Sequence, residues 1–333
     1  MDIKENVILA PYTTFGIGGL ARYFVEVESV DDLKKTLDFS KENNLRFFIL
    51  GGGSNLLISD KGFDGLVIKM SIKGLEFKDE KDYSILRAGA GENWDGVVAA
   101  AVEQNLSGIE NLSLIPGTAG AAVYQNIGAY GVELKDVFES AEVFDAGSGE
   151  IKNFSSIDCG FGYRDSVFKN DRDLIILKIN LKLSKKFKPN IKYPDLIKLF
   201  ESKNPSITDV RQAVIQIRKK KLPYPAEVGN AGSFFKNPTI KISNFQFLIS
   251  KHPDLKGFDQ ENSSVKLSAA QLIEKCGWKG RQLGNVGVSE KHSLVLVNYG
   301  KGTAREIIAL AEEIKKSVKD EFGVVLEPEV EMI

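Results

Sequence analysis

Cysteine is scarce in this 333-residue chain, and the scarcity excludes several kinds of protein. The two cysteines, Cys159 and Cys276, stand far apart in the sequence and form no CxxC pair. A disulfide framework is therefore excluded, and a metal site is not expected. Cysteine usage of this kind indicates a reducing compartment.

Net charge and long apolar runs are also nearly absent. The 44 Lys and Arg residues against 45 Asp and Glu residues give a net charge of −1, so neither nucleic acid nor a membrane surface is expected as a partner. No stretch approaches the roughly 20 apolar residues that span a bilayer. Because the first residues lack an apolar run behind a basic start, we expect no signal peptide and a cytoplasmic location.

The apolar residues that are present follow the periods of both strands and helices. Apolar stretches at 22–28, 46–50 and 174–183 predict strands. Ser29 is a predicted N-cap for a helix at 30–43, and apolar residues at three- and four-residue spacing predict a helix at 93–104. Helices beside sheets, without a regular βαβ array, indicate an α+β fold. The length exceeds what one hydrophobic core usually serves, so two or three domains are expected.

The second half is divided by segments rich in lysine and proline. Residues 184–206 and the KLPYP segment at 221–225 both indicate boundaries. Between them a helix is predicted over 208–221, with Thr208 as its N-cap and Asp209 in its first turn. The last compact unit is predicted to hold a strand at 294–298 and helices at 244–251, 268–276 and 303–321.

Two glycine-rich segments are candidates for ligand contact. GGGSN at 51–55 follows an apolar strand, and its glycines would let backbone N–H groups approach a phosphate, although a plain turn is the alternative. Segment 116–131 suggests an extended ligand with a pyrophosphate, or close backbone packing at a domain interface. GIGGLA at 16–21 fits the dinucleotide fingerprint in letters only, because a strand and not a helix is predicted after it.

Several single side chains have two interpretations each. Ser233, in NAGSFFKNP, has no nucleophile-elbow context and no histidine tied to it, so it is a turn hydroxyl or a proton donor. Arg164, in YRDS, is a surface ion-pair partner or a ligand contact. The RKKK run at 218–221 complements a helix dipole or clamps a diphosphate. Glu327 and Glu329 would share one face of a short strand as solvated carboxylates or as site residues.

Six motifs, in their order along the chain, resemble the UDP-N-acetylenolpyruvoylglucosamine reductases, and in particular their longer, type I branch. They are ILGGGSNLL, IPGTAGAAVYQNIGAYGVE, GYRDSVFK, KLPYP, GNAGSFFKNP and LEPEV. The resemblance implies a three-domain α+β flavoenzyme, with a two-part FAD-binding fold of the vanillyl-alcohol-oxidase (PCMH) type and a C-terminal α/β substrate-binding domain. The implied ranges are FAD-binding subdomains at 1–70 and 71–220, a substrate-binding domain at 221–322 and a segment at 323–333 that returns to the active site.

The same resemblance implies the chemistry. Members of this family reduce the enolpyruvyl group of a UDP-sugar to give UDP-N-acetylmuramate for peptidoglycan synthesis, with NADPH as hydride donor and FAD as carrier. No histidine lies near either glycine-rich segment, so FAD is expected to be held non-covalently. The partner would be a small-molecule UDP-sugar, and we expect the chain to be a monomer.

Site residues are implied where motifs match. Arg164 would bind the substrate carboxylate, Glu329 would assist the enolate, and Ser233 would protonate carbon 2. The FAD-binding set would be Gly51, Gly52, Gly53, Ser54, Asn55, Pro116, Gly117, Thr118, Gly120, Asn126 and Gly128. The substrate-binding set would be Tyr193, Arg218, Lys221 and Asn237, with Lys221 also contributing to NADPH binding.

Four positions depart from the family pattern. Thr118 and Val123 replace residues that are usually Ser and Pro, and Pro194 stands where glycine is familiar. Ser289 occupies the place of an expected histidine, and no role is transferred to it.

Two other hypotheses remain open. A flavin oxidase of the same fold would pass electrons to oxygen and turn over without the UDP-sugar, but it leaves the Ser, Arg and Glu set without a purpose. A non-catalytic protein that binds a UDP-sugar or nucleotide would use the glycine loops for phosphates and would purify colourless.

Overall fold

The computed structural model describes residues 2–201, 203–260 and 263–333, and the chain forms two compact units. The first unit is built from Met1–Val7, Ala21–Gly53 and Phe63–Lys219. The second unit is built from Ile8–Leu20, Ser54–Gly62 and Lys220–Ile333. Helices occur together with parallel and antiparallel sheets, which confirms the predicted α+β class. None of the helices in the described ranges is long and apolar enough to cross a membrane.

A four-stranded sheet opens the first unit. Its spatial order is Lys4–Ile8, Leu20–Val27, Phe63–Met70 and Phe47–Leu50, and the last three strands are parallel. Helix Val30–Glu42 follows the second strand, and its Ser29 N-cap accepts a hydrogen bond from the Asp32 N–H at 3.1 Å, as predicted. Strand Leu20–Val27 begins within GIGGLA, where a dinucleotide-binding turn would lead into a helix. The structure therefore agrees with the prediction that GIGGLA is not a dinucleotide-binding motif.

An antiparallel five-stranded sheet is the second large sheet of the first unit. Its order is Glu150–Ser155, Phe138–Asp145, Leu174–Ser184, Tyr83–Gly89 and Leu75–Asp79. Helix Trp94–Glu103 contributes Trp94, Val97 and Val98 to the same hydrophobic core as the inward-facing residues of this sheet. The buried indole N–H of Trp94 donates a hydrogen bond to the Leu112 carbonyl at 3.0 Å.

The first unit is completed by short elements and four further helices. The short elements are strands Gly128–Ala129 and Val132–Glu133 and 3₁₀ turns Glu110–Leu112 and Leu134–Asp136. The helices are Ala119–Gln125, Val167–Asn170, Pro194–Phe200 and Ile207–Lys221, and the last two residues of the fourth helix belong to the second unit.

The last helix of that set corrects the predicted N-cap. Helix Ile207–Lys221 begins one residue before Thr208, so Thr208 lies inside its first turn. The Ser206 hydroxyl accepts from the Asp209 N–H at 3.2 Å, and the Asp209 carboxylate accepts from the Ser206 N–H at 2.8 Å. Ser206 is therefore the capping residue, because its hydroxyl stands at the distance from Asp209 that a cap requires.

The second unit contains three small sheets around one core. One is antiparallel, with Thr239–Lys241, Ser264–Leu267 and Gly257–Gln260, and another joins Gln282–Leu283, Val286–Val288 and Leu296–Asn298. The third pairs Leu56–Leu57 with Glu331–Met332 in parallel. Around them lie the 3₁₀ turn Ala10–Tyr12 and helices Ile242–Lys251, Ala269–Lys275 and Ala304–Phe322.

The longest helix of the second unit shows why its core forms. Helix Ala304–Phe322 starts with a capping box, in which Thr303 and Glu306 each accept a hydrogen bond from the other's N–H. Its apolar stripe is fully buried at Ile307, Leu310 and Ile314. The stripe packs in one cluster with Phe234 and Phe235, so the turn that carries Ser233 is anchored in the core of this unit.

The cap of helix Ile207–Lys221 yields a first prediction. Ser206→Ala removes the acceptor for the Asp209 N–H, so we expect the free energy of unfolding to fall by about 1 kcal/mol. Thr208→Ala is the matched control: Thr208 is exposed inside the helix, and its replacement is expected to change stability by less than about 0.5 kcal/mol. Urea unfolding of both variants checks this, and a larger loss for Thr208→Ala would contradict the assignment.

Candidate active site

The two glycine-rich loops of the first unit lie against each other. A Cβ atom on Gly52 would meet the Gly117 Cα at 2.6 Å, and one on Gly51 would meet the Thr118 Oγ1 at 2.9 Å. Both distances are shorter than real Cβ contacts, so the approach requires glycine on the first loop. The structure thus brings together the two loops that were predicted to share one ligand.

The loop residues fit a polar cofactor. Thr118 precedes helix Ala119–Gln125, and its Oγ1 is buried without a hydrogen-bond partner among the described residues. A buried hydroxyl is costly unless a ligand or water completes it. Thr118 therefore supplies a polar group where the cofactor was predicted to bind.

A half-buried lysine supports the first loop and was missed by the sequence analysis. Lys69, on strand Phe63–Met70, donates from its Nζ to the Gly51 carbonyl. Burial lowers the pKa of Lys69, and the Glu26 carboxylate opposes that effect. The signal that could have revealed it is a lysine that interrupts the apolar run at the end of strand Phe63–Met70.

Two predicted cofactor residues have partners within the protein. The Gly120 N–H donates to the Ala90 carbonyl at 2.9 Å, and a Cβ on Gly120 would meet the Ala90 Cβ at 2.8 Å. Asn126 ends helix Ala119–Gln125 in the left-handed conformation, and its Nδ2 donates to the Gly162 carbonyl at 2.8 Å. Cofactor binding by Gly120 and Asn126 stays a prediction.

Arg164 belongs to the same unit and contacts the second loop. It lies in a tight turn with φ of +54°, and its Nη2 donates to the Gly128 carbonyl at 2.6 Å. The side chain is 17% exposed, and its Nη1 lies 3.9 Å from a carboxylate oxygen of Glu133. Arg164 is therefore a mostly buried guanidinium beside the second glycine-rich loop and not a residue of the open surface.

The predicted substrate residues of the first unit, Tyr193 and Arg218, lie beside the half-buried Tyr130. The Tyr193 side chain is 42% exposed, and its ring packs edge-on against Tyr130 with a centroid distance of 5.0 Å. Burial raises the pKa of Tyr130 to about 12. Helix Pro194–Phe200 begins with proline, which suits a first helical position and explains how the departure from glycine is tolerated.

Arg218 lies beside that tyrosine. Burial lowers the pKa of Arg218, while the neighbouring Tyr130 and Asp95 counteract the shift. Its Nε is buried and has no hydrogen-bond partner in residues 2–201, 203–260 and 263–333. A guanidinium in this state fits a site that an anionic ligand completes.

In the second unit, a backbone hydrogen bond joins the segment that carries Ser233 to the segment that carries Glu329. The Glu329 N–H donates to the carbonyl of Phe234, the residue after Ser233, at 2.8 Å. The Asn55 side chain donates to the Glu329 carbonyl at 3.1 Å. The backbone N–H and C=O of Glu329 are thus both hydrogen-bonded. Asn55, which was predicted to contact the cofactor, therefore has a structural partner that the sequence did not reveal.

The turn that carries Ser233 forms as its sequence predicts. Gly232 has φ of +71°, a conformation that favours glycine, and its N–H donates to the Asn230 Oδ1 at 3.0 Å. Phe234 and Phe235 are fully buried, with ring centroids 5.1 Å apart. The turn is therefore clamped on both sides of the serine.

Asn237 and Lys221 also belong to the second unit. The Asn237 Oδ1 accepts from the N–H of Ala269, the first residue of helix Ala269–Lys275, at 3.0 Å. Lys221 ends helix Ile207–Lys221 and acts electrostatically on His292, whose pKa is lowered first by burial and then by this lysine. Substrate contacts by Asn237 and Lys221 stay predictions.

Both histidines and Ser289 have other partners. The His292 Nδ1 accepts from the Leu294 N–H at 3.2 Å, and the His252 ring packs on Phe322 with a centroid distance of 4.8 Å. Ser289 is buried, and its hydroxyl accepts from the N–H of Lys291 at 3.2 Å, a turn contact that gives this residue a structural role.

Comparison with known proteins identifies the family. Residues 21–155 match the model of an FAD binding domain, and residues 224–333 match the model of the UDP-N-acetylenolpyruvoylglucosamine reductase C-terminal domain. The UDP-N-acetylenolpyruvoylglucosamine reductase of Flavobacterium johnsoniae is 43% identical, with 100% of both chains covered. That of Amoebophilus asiaticus is 46% identical with the same coverage. The chain belongs to the UDP-N-acetylenolpyruvoylglucosamine reductase family.

A crystal structure from this reductase family has the same fold. The UDP-N-acetylenolpyruvylglucosamine reductase (MurB) of Thermus caldophilus superposes with a TM-score of 0.72 at 28% identity, over 100% of this chain and 99% of that one. The matched FAD binding domain contains both glycine-rich loops. The family and the flavin-binding fold predicted from the motifs are therefore confirmed.

The contact between the loops yields a second prediction. Gly52→Ala would force a methyl group against the Gly117 backbone, and we expect FAD affinity to fall about tenfold or more, since overpacking costs ~1–3 kcal/mol. Titration of FAD into flavin-free protein, followed by flavin fluorescence, measures this. The matched control is Gly96→Ala, whose Cβ would have its nearest neighbour at 3.7 Å; equal losses in both variants would refute the role of the contact.

Proposed function

We propose that this chain catalyses the NADPH-dependent, FAD-mediated reduction of UDP-N-acetylglucosamine enolpyruvate to UDP-N-acetylmuramate, a step of peptidoglycan precursor synthesis. The chain is an oxidoreductase of this kind by family, and its full length takes part in the similarity. The observation that carries the proposal is the hydrogen bond from the Glu329 N–H to the Phe234 carbonyl, because it joins the two motifs expected to handle the proton.

The glycine loops of the first unit would hold the cofactor. When bound, FAD supplies hydride exchange between NADPH and the enolpyruvyl carbon. Gly51, Gly52 and Gly117 would let the backbone approach it, and Thr118 would offer its buried hydroxyl to a polar group. Lys69 would stiffen the first loop through the Gly51 carbonyl.

Arg164 would bind the carboxylate of the enolpyruvyl group. A guanidinium matches a carboxylate with two parallel hydrogen bonds, and it stays charged throughout the reaction. The bond from its Nη2 to Gly128 and the turn at φ of +54° fix the direction of the side chain. Negative charge that develops on the substrate would then meet a cation already in place.

Ser233 and Glu329 would complete the reaction at carbon 2. The Ser233 hydroxyl would donate its proton to that carbon, while the Glu329 carboxyl would stabilise the enolate oxygen. Both groups need to stay still, and the turn at Gly232, the buried Phe234 and the hydrogen bonds on both sides of the Glu329 peptide support this.

The nucleotide end of the substrate would be bound by the predicted substrate residues. Arg218 would neutralise the diphosphate, since its buried Nε needs a partner, and Lys221 would add a second charge and contribute to NADPH binding. The exposed ring of Tyr193 would lie over the nucleotide, and Asn237 would offer its NH₂ group.

The organisation expected from the sequence is part of this proposal. We propose FAD-binding subdomains at 1–70 and 71–220, a substrate-binding domain at 221–322 and a segment at 323–333 that returns to the site. The pairing of Glu331–Met332 with Leu56–Leu57 supports the last element. We also propose that FAD is non-covalent and that the chain works as a cytoplasmic monomer.

The third prediction tests the activity itself. The flavin of the purified protein, reduced by NADPH without oxygen, is expected to become reoxidised when the enolpyruvyl UDP-sugar is added, because that group accepts the electrons. Absorbance of the flavin follows the reaction. Reoxidation only on admission of air would favour an oxidase, and a colourless protein that binds the UDP-sugar would favour a non-catalytic role.

The fourth prediction concerns Ser233. Ser233→Ala removes the proposed proton donor, so product formation should fall about a hundredfold or more, whereas reduction of the flavin by NADPH should be preserved. Rapid-mixing measurements of the two half-reactions separate these effects. Ser289→Ala is the control, a buried serine of the same unit expected to keep both rates. Equal loss of both half-reactions in Ser233→Ala would show a structural role instead.

A further inference from the structure

The Asp95 carboxylate, in the first turn of helix Trp94–Glu103, joins two other parts of the first unit. Its Oδ1 accepts from the Leu114 N–H at 2.6 Å and from the Arg211 Nη1 at 2.7 Å, while its Oδ2 accepts from the Arg211 Nη2 at 3.1 Å. The contact with Arg211 is therefore a two-pronged ion pair, the arrangement with the best-defined geometry for these groups.

This pair differs from an ordinary surface ion pair in its burial. The Arg211 side chain is 12% exposed and that of Asp95 is 28% exposed. Burial by itself would raise the pKa of Asp95, but the hydrogen bonds from Arg211 and from the Leu114 N–H outweigh it and lower the pKa. Removal of either partner would leave a charge that little water can reach.

The Leu114 contact acts on residues 114–118, which lead into the second glycine-rich loop and are called the flavin loop below. Leu114 has φ of +58°, a left-handed conformation that is unfavourable for leucine and persists only where the surroundings hold it. Three residues later, Gly117 meets Gly52 of the first loop. The neighbouring Trp94 also holds this stretch, since its backbone N–H donates to the Gly117 carbonyl at 3.1 Å.

The Arg211 contact acts on the helix that carries a proposed substrate residue. Arg211 lies on helix Ile207–Lys221, about two helical turns before Arg218 and hence on the same face. The Asp95 carboxylate also acts electrostatically on Arg218. The Asp95 carboxylate thus contacts both the flavin loop and helix Ile207–Lys221, which carries Arg218.

We propose that Asp95 is a positioning residue that couples the flavin loop at 114–118 to helix Ile207–Lys221, so that cofactor and UDP-sugar affinity both depend on a side chain that contacts neither ligand. This inference rests on the proposed function, because it takes Arg218 as a contact of the diphosphate. It assigns no chemical step to Asp95.

Two substitutions at this position separate the two contacts. Asp95→Ala removes the acceptor for both Leu114 and Arg211, so FAD affinity should fall about tenfold and the KM for the UDP-sugar should rise about tenfold. Asp95→Asn keeps an oxygen for the Leu114 N–H but loses the charge opposite Arg211. In that variant FAD affinity should stay within about threefold of the original, while KM still rises about tenfold.

The control is Glu142→Gln, which disrupts a more exposed ion pair of the same unit. Glu142, on strand Phe138–Asp145, pairs with Arg87, on strand Tyr83–Gly89, across the strand that lies between them in the five-stranded sheet. Glu142→Gln should leave FAD affinity and KM unchanged, whatever its effect on the melting temperature. FAD titration of flavin-free protein provides the readout independent of turnover, and steady-state kinetics provides KM.

The outcomes distinguish this inference from the proposed function. If the unmodified protein reduces the UDP-sugar but Asp95→Ala resembles Glu142→Gln in FAD affinity and KM, Asp95 is only structural and the inference is wrong. Should Asp95→Ala fail to fold, an unchanged KM in Asp95→Asn would overturn the inference equally. A failure of the unmodified protein to transfer electrons to the UDP-sugar would instead refute the proposed function, and with it the coupling to Arg218.

Discussion

Two stretches of backbone in the first unit approach so closely that no side chain fits between them. Gly52 faces Gly117 at a distance that would place a Cβ 2.6 Å from the opposite Cα. Such an approach costs conformational freedom, so the surrounding structure has to hold both loops. Lys69 holds the first loop through a hydrogen bond to the Gly51 carbonyl. Trp94 and Asp95 hold the second loop through three hydrogen bonds with residues 112, 114 and 117.

In the second unit, buried side chains next to the Ser233 turn hold that turn in place. Its proposed proton donor, Ser233, stands on a turn whose neighbours, Phe234 and Phe235, are buried in the core. The C-terminal segment reaches this turn through the Glu329 N–H and continues as a strand beside Leu56–Leu57. In both units, the proposed ligand contacts at Gly52, Thr118 and Ser233 are backbone atoms or short side chains, and larger residues beside them provide the rigidity.

Much of the local structure could be predicted because it depends on neighbours in sequence. The apolar stripe of helix Ala304–Phe322, the Ser29 cap and the glycine turn before Ser233 all appear where their patterns place them. The cap of helix Ile207–Lys221 was assigned wrongly, because hydroxyls at both Ser206 and Thr208 satisfy the sequence pattern. Only the backbone conformation decides which of them precedes the first helical turn, and it is the Ser206 hydroxyl that accepts from the N–H three positions later, on Asp209.

The sequence by itself marked two glycine-rich segments as candidates for ligand contact, and the resemblance of its ordered motifs to a known family supplied the family and the residues proposed for chemistry. The tertiary structure alone decided which distant groups support them. Asp95 and Arg211 are 116 positions apart, and Asn55 and Glu329 are 274 apart. Such pairs form because strands and helices pack in one particular way, and the contacts that choose this packing are spread over the whole core. No local pattern records them.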